Sequence, residues 1–165
     1  MSKQSRSLRS VVNPTLKQRI AAVREVLEAS DPTIGFLAPP STRQAFPEQV
    51  PASYQEFLRE VDGMAGGVVM LYESEGLSAH QAPAKQLPGG ASRWFCFGAV
   101  EDYPLVMDRR TGAVHLVPLE GDFEEEDSLG NLDYFLITSV FGEEYADFAL
   151  DPANDPWYQL ILRIF

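Results

Sequence analysis

Few side chains in this sequence are of the types that carry out acid–base or nucleophilic chemistry. Its 165 residues include two histidines, His80 and His115, and one cysteine, Cys96. Neither histidine belongs to a G-x-S-x-G motif, and the sequence has no G-x-x-x-x-G-K-[ST] loop and no G-x-G-x-x-G fingerprint after a strand. We therefore predict that the chain is not an enzyme and has no catalytic residues and no cofactor, although a triad assembled from distant positions would leave no local motif.

The acidic run at residues 120–127 is a candidate cation site, because closely spaced carboxylates coordinate Ca²⁺. When Asp122 is taken as position 1 of a calcium loop, Glu124 and Glu126 fall at positions 3 and 5. Position 6 is then an aspartate where the sharp turn requires glycine, and position 12 is Asp133 instead of a bidentate glutamate. The few histidines and the single cysteine also cannot form a structural zinc site without carboxylate help. We predict no dedicated metal site.

Charge is distributed unevenly along the chain, whose formal net charge is -11. Residues 1–44 hold seven Lys/Arg and three Asp/Glu, whereas residues 45–165 hold six and twenty-one. Because clustered cations are needed to contact phosphates, we do not expect the folded body to bind nucleic acid. A cationic protein partner is expected instead, since an acidic field accelerates its encounter, although the same charge also serves solubility.

The partner-facing surface is predicted where negative charge is densest, in the stretch between Arg110 and Arg163 that contains no lysine or arginine. We expect these carboxylates to be solvated and to lie together beside a β-hairpin, where they would steer the partner over long range. The predicted partner-binding residues are Glu120, Asp122, Glu124, Glu125, Glu126, Asp127, Glu143, Glu144 and Asp147. The proline-rich and aromatic segment 78–94 is the alternative.

Hydrophobic spacing predicts the helices that position these residues. A helix near residues 52–62 has Ser53 at the expected N-cap and Gly63 where a left-handed C-terminal cap is preferred. Its apolar face consists of Tyr54, Phe57, Leu58 and Val61. An earlier helix should run from Pro14 to about Ala29 with Asn13 as its cap, followed by an extended, proline-rich connector over residues 32–52.

Short β-prone runs follow at residues 68–72, 94–98, 104–108 and 113–117, and the last two form a hairpin around Asp108–Gly112. His115 is expected to face away from its apolar neighbours, at the surface or with satisfied hydrogen bonds. Segment 78–92 is expected to be irregular.

Two further apolar segments lie towards the C-terminus of the sequence. Residues 131–148 should form either one helix or a helix with a break at Gly142. The hydrophobic residues 157–165 should dock on the body as a helical turn or a strand.

Length and composition are typical of one domain. We expect residues 1–13 to be a flexible basic tail and residues 14–165 a single domain that is large enough to need no disulfide. Cys96 is interpreted as a small buried hydrophobe. No signal peptide or membrane span is indicated, so we expect a cytoplasmic protein that does not associate with membranes.

Four motifs follow one another along the chain. The first, P-x-x-Y-x-x-F-L-x-x-x-(N/D)-G, consists of Pro51, Tyr54, Phe57, Leu58, Asp62 and Gly63. The second is an aromatic strand with a glycine (Trp94, Phe97, Gly98), and the third is a hairpin with hydrophobic-D-x-x-(T/S)-G-x-V (Asp108, Thr111, Gly112, Val114). The fourth is a helix with Leu132, Phe135 and Leu136. In this order they resemble the SUKH superfamily, which includes the Smi1/Knr4 proteins and many bacterial toxin-immunity proteins.

The resemblance covers about residues 45–148, with Asp62 where the family more often has asparagine. The order of elements predicts an α+β fold, a mostly antiparallel, twisted sheet over residues 66–118 flanked by helices, and the resemblance implies the same Smi1/Knr4-like single domain.

The resemblance also implies an immunity protein that neutralises a cognate bacterial toxin by direct stoichiometric binding. Its acidic surface would face a basic toxin site, for example that of a nuclease or deaminase domain. The alternatives are a Smi1/Knr4-like regulatory scaffold that binds through the basic tail, and a hydrolase with dispersed catalytic residues.

Overall fold

Six short antiparallel strands form one sheet, in which they lie side by side in the order of the chain. The computed structural model describes residues 12–47 and 49–165. The strands are β1 (Gly35–Leu37), β2 (Met64–Gly66), β3 (Val69–Leu71), β4 (Trp94–Val100), β5 (Tyr103–Asp108) and β6 (Val114–Leu116). The predicted α+β fold with an antiparallel sheet flanked by helices is confirmed, and β5 and β6 form the predicted hairpin.

The sheet is larger than predicted, because β1 and nearly all of β2 lie outside residues 66–118. Both strands are three residues long and contain glycine, so their composition gives little β signal. The glycines are required by packing: a Cβ at Gly35 or Gly66 would come within 2.7 or 2.5 Å of ring atoms of Trp157. Glycine is therefore required at these two positions by contact with Trp157, a residue that is distant in sequence.

Helices cover one face of the sheet and part of the other. They are α1 (Pro14–Glu28), α2 (Ala52–Glu60), α3 (Ala82–Gln86), α4 (Gly90–Arg93), α5 (Leu132–Phe135) and α6 (Pro156–Ile164). Shorter helical turns occupy Leu77–His80, Leu136–Val140, Glu143–Asp147 and Pro152–Asn154. The segment 78–92, predicted to be irregular, thus contains two short helices and part of a third helical turn.

The main core lies between the helices and the face of β4 that carries Phe95 and Phe97. The predicted apolar face of α2 is confirmed as core, because its four members are almost fully inaccessible: Tyr54, Phe57, Leu58 and Val61. The Tyr54 hydroxyl also donates hydrogen bonds to the backbone oxygens of Tyr72 and Phe97. Since Phe97 lies at a bulge in the β4–β5 ladder, this side chain joins the helix to an irregular point of the sheet.

The beginning of α2 differs from the prediction. Pro51 is the residue that precedes the helix, and no side chain of the described residues caps it. Ser53 lies inside the first turn, where its hydroxyl contacts the sulfur of Met107 at 3.4 Å. The predicted Ser53 cap is therefore wrong. Gly63 does adopt a positive φ of 93°, but it lies beyond Val61, the residue that ends the helix.

The two ends of the described chain are both anchored to the core. Asn13 caps α1 by accepting a hydrogen bond from the backbone nitrogen of Thr15, as predicted, and Val12 is already buried. The rest of the predicted tail, residues 1–11, lies outside the described residues. The C-terminal segment forms α6, in which the buried Trp157 donates from its indole nitrogen to the backbone oxygen of Val140 at 2.9 Å. Within the described chain, no helix combines the length and apolar character needed to cross a membrane.

Candidate functional site

The described residues cover the second face of the sheet over only part of its width. On β4, β5 and β6 it carries a small cluster of buried side chains, Trp94, Cys96, Val106 and His115. Ala84 of α3 and Phe123 of the loop after β6 pack against this cluster. We call this part the covered half. The other half, formed by β1 to β3 and the end of β4, is described below.

His115 faces away from the main core, as predicted, but it is not at the surface. Only 3% of the residue is exposed, and its ring makes edge contacts with Trp94 and Phe123 at centroid distances of 5.4 and 5.5 Å. Its Nδ1 atom has no hydrogen-bond partner among the described residues, and burial lowers its pKa. The prediction of a surface position for His115 is therefore wrong. The covering loop is the reason, since it closes over this face.

Cys96 is buried in the same cluster, as predicted. Burial raises the pKa of its thiol to about 11, which keeps it protonated and poorly nucleophilic. Within residues 12–47 and 49–165, no three His, Cys, Asp or Glu side chains are grouped so that they could hold a metal ion.

The acidic run is attached to the sheet through one of its own carboxylates. Both terminal nitrogens of Arg93 donate to Glu125, each at 2.8 Å, and one of them also donates to Asp108 at 3.1 Å. The guanidinium lies 4.6 Å above the ring of Trp94. Glu125 was predicted to be a solvated charge that faces a partner. It is instead one side of a paired contact that holds the loop, which we call the Arg93 latch.

The Arg93 latch should open in acid. Hydrogen bonds from Arg93 hold the pKa of the Glu125 carboxyl below its ordinary value of 4.5. Because the pKa of Glu125 is lower in the folded protein, the contact is fully present above pH 4.5. It is lost as the pH falls through the pKa that Glu125 has in the folded protein. We expect the indole N–H resonance of Trp94 to shift in this acidic range in wild-type protein, and this step to be missing in Glu125→Gln. The resonance of Trp157 is the control for global unfolding; an identical Trp94 titration in both proteins would contradict the latch.

The nine predicted partner-binding residues do not form one patch. Six lie in the loop that covers the second face, and one of these, Glu125, belongs to the Arg93 latch. The other five are exposed, and their side chains make no hydrogen bond among the described residues: Glu120, Asp122, Glu124, Glu126 and Asp127. The other three, Glu143, Glu144 and Asp147, belong to the helical turn whose Tyr145 is part of the main core. That turn packs on the opposite side of the sheet.

A row of apolar side chains crosses the uncovered half of the second face. The antiparallel register pairs Phe36 with Ala65, Ala65 with Met70, and Met70 with Ala99, so all four point to the same side. Phe36 is 59% exposed and Met70 is 52% exposed, whereas their strand neighbours face the main core. We call these four residues the bare row. Phe36 and Met70 lie on β1 and β3 with Ala65 of β2 between them, and exposed apolar side chains aligned across a sheet in this way are typical of a contact surface.

Acidic and aromatic residues border the bare row. A depression of about 280 Å³ beside Phe36 and Met70 is also lined by Asp62, Glu73 and His80, and no lysine or arginine of the described chain lines it. The ring of His80 stacks on that of Tyr72 with centroids 3.9 Å apart. Asp62 is fixed by accepting from the backbone nitrogen and the hydroxyl of Ser74 at 2.7 and 2.9 Å. The border therefore presents negative charge next to apolar surface.

Sequence reasoning did not find the bare row. Phe36 and Ala65 lie on β1 and β2, the two strands whose composition does not indicate β structure. Met70 lies in an apolar run, and only the strand register shows which of its residues face the main core. No local signal distinguishes Met70 from its neighbours, because Val69, Met70 and Leu71 are all apolar.

The bare row crosses β1 to β4. The loop that carries the acidic run 120–127, which we call the acidic loop, lies over β4 to β6 on the same side of the sheet.

Comparison of the sequence with protein-family models and with curated proteins gives no significant match.

Proposed function

We propose that this protein binds a cationic protein toxin stoichiometrically through the bare row and thereby neutralises it, as an immunity protein. The observation that carries the proposal is the alignment of Phe36 and Met70, more than half exposed, on a sheet face with an acidic border. Methionine and aromatic side chains are enriched in the cores of protein interfaces. Burial of this row by a partner would remove from water apolar surface that the described residues leave exposed.

The charge of the chain supports a cationic partner. Carboxylates border the bare row, and the exposed carboxylates of the acidic loop lie on the same side of the sheet. A basic toxin site would therefore meet complementary potential over much of this side. The four sequence motifs that resemble the SUKH superfamily support the immunity role in particular, because many members of that superfamily bind toxins.

Coexpression with the product of a neighbouring gene that encodes a toxin domain tests the proposal. We expect a 1:1 complex by light scattering, and residual toxin activity that falls linearly to zero at equimolar protein. Inactivation of the toxin by far less than one equivalent would instead indicate an enzyme. Protection of cells without any complex would also contradict stoichiometric binding.

Reversing two exposed charges in the acidic loop should slow association. Glu124→Lys with Glu126→Lys leaves the Arg93 latch intact, and we expect the association rate constant to fall about fivefold at low salt and less at high salt. Stopped-flow fluorescence against ionic strength measures this. The control is Glu143→Lys with Glu144→Lys, the same charge change on the other side of the sheet, which should slow association less. Equal effects of both pairs would show that net charge alone matters.

A further inference from the structure

A second cavity, distinct from the bare row, lies between the proline-rich connector, the segment after β3 and the start of β4. Its volume is about 580 Å³, within the range of pockets that hold small ligands. Three apolar side chains that line it, Val50, Leu77 and Phe95, are themselves buried in the core. The cavity therefore has an apolar and well-packed floor.

The charged side chains that line this cavity are all cationic. They are Arg43, Lys85 and Arg109, and no carboxylate of the described chain lines it. This is unusual in a chain whose residues 45–165 hold twenty-one Asp/Glu and only six Lys/Arg. None of the three cations takes part in an ion pair within residues 12–47 and 49–165. Glu48, which follows the lining residue Pro47, lies outside the described residues.

Arg109 is held in place without a paired carboxylate in the described structure. Its Nε donates to the backbone oxygen of Ala91 at 2.9 Å, and one terminal nitrogen donates to the backbone oxygen of Gln49. Its guanidinium carbon lies 5.3 Å from the ring centre of Phe95. A guanidinium has five N–H donors, so this residue can bind an anion while it keeps both backbone contacts. Burial lowers its pKa, because loss of solvent disfavours the charged form.

We propose that this cavity binds a small amphipathic anion, with its carboxylate or phosphate on Arg43, Lys85 and Arg109 and its apolar body on Phe95. A half-buried cation that has no carboxylate partner among the described residues is stabilised by an anion, and an apolar floor favours an apolar group. The inference is independent of the proposed toxin binding, because no residue of the cavity belongs to the bare row.

The probe is 8-anilinonaphthalene-1-sulfonate, an aromatic anion whose fluorescence rises in apolar surroundings. We expect saturable 1:1 binding to the full chain, weakened about fivefold or more in Arg43→Gln with Lys85→Gln through loss of charge-assisted contacts. Ser78→Phe, which adds bulk at an exposed residue lining the cavity, should abolish binding while all three cations remain. Two matched controls should bind as wild type: Arg163→Gln on α6 and Met70→Lys on the bare row.

Competition identifies the head group. Displacement of the dye by octanoate but not by phenyl phosphate assigns a carboxylate site, and the reverse assigns a phosphate site; either supports the proposal. The proposal is overturned if the dye does not bind, if Arg43→Gln with Lys85→Gln binds it as wild type does, or if Met70→Lys alone removes it. Equal displacement by inorganic phosphate would also contradict it, because the apolar floor would then contribute nothing.

Discussion

Replacing Phe57 with alanine is expected to lower the free energy of unfolding by about 3–5 kcal/mol. The side chain is 1% exposed, and its ring lies 5.7 Å from that of Tyr54, centre to centre. The substitution removes apolar contacts and leaves a cavity between α2 and the sheet that close packing cannot refill. Chemical denaturation monitored by circular dichroism measures the loss.

The control is Leu162→Ala, an apolar truncation at a partly exposed position of α6. Surface substitutions change stability by only about 0.5 kcal/mol, so the two variants should differ clearly. A Phe57→Ala protein that unfolds like wild type but no longer binds its partner would show that this helix face is an interface and not core.

Replacing Met70 with lysine is expected to weaken toxin binding by about thirtyfold or more, which corresponds to about 2 kcal/mol at the centre of an interface. The substitution places a desolvated ammonium on the bare row, opposite a cationic partner. Because Met70 is 52% exposed in the free protein, its replacement should leave the fold intact. Calorimetric titration of the toxin domain measures the affinity, and thermal unfolding confirms the fold.

Leu150→Lys is the matched control for this variant. Leu150 is 90% exposed and lies in the segment after the Glu143–Asp147 turn, so the same gain of charge at an exposed apolar residue occurs away from the bare row. We expect this variant to bind as wild type does. Equal loss of affinity in both variants would mean that the added positive charge, and not its place, is responsible.

Elements with strong local signals could be predicted from the sequence. The cap at Asn13 fixed the start of α1, and the turn that ends in Gly112, with φ of 75°, joined the β5–β6 hairpin. Of the two alternatives for residues 131–148, the helix with a break at Gly142 is the correct one, since two different helical turns meet there. In each case, neighbouring residues alone determine the backbone conformation.

Features that depend on distant contacts could not be predicted. Strands β1 and β2 contain glycines because the ring of Trp157 lies against them. In the sequence by itself, glycine favours the prediction of a turn. Nothing in the sequence distinguishes Glu125 from the neighbouring carboxylates, because its partner Arg93 lies more than thirty residues earlier in the chain. The bare row required the strand register. Charge density along the chain located the acidic loop, but it could not show on which side of the sheet the Glu143–Asp147 turn would pack.

The most direct test of binding through the bare row is the methyl NMR spectrum of methionine-labelled protein during titration with the toxin domain. The chain provides internal references, because Met64 and Met107 are buried at 3% and 1% exposure while Met70 is half exposed. We predict that the Met70 methyl resonance shifts and saturates at one equivalent of toxin, whereas those of Met64 and Met107 stay in place. Formation of the complex with an unperturbed Met70 methyl would contradict the account.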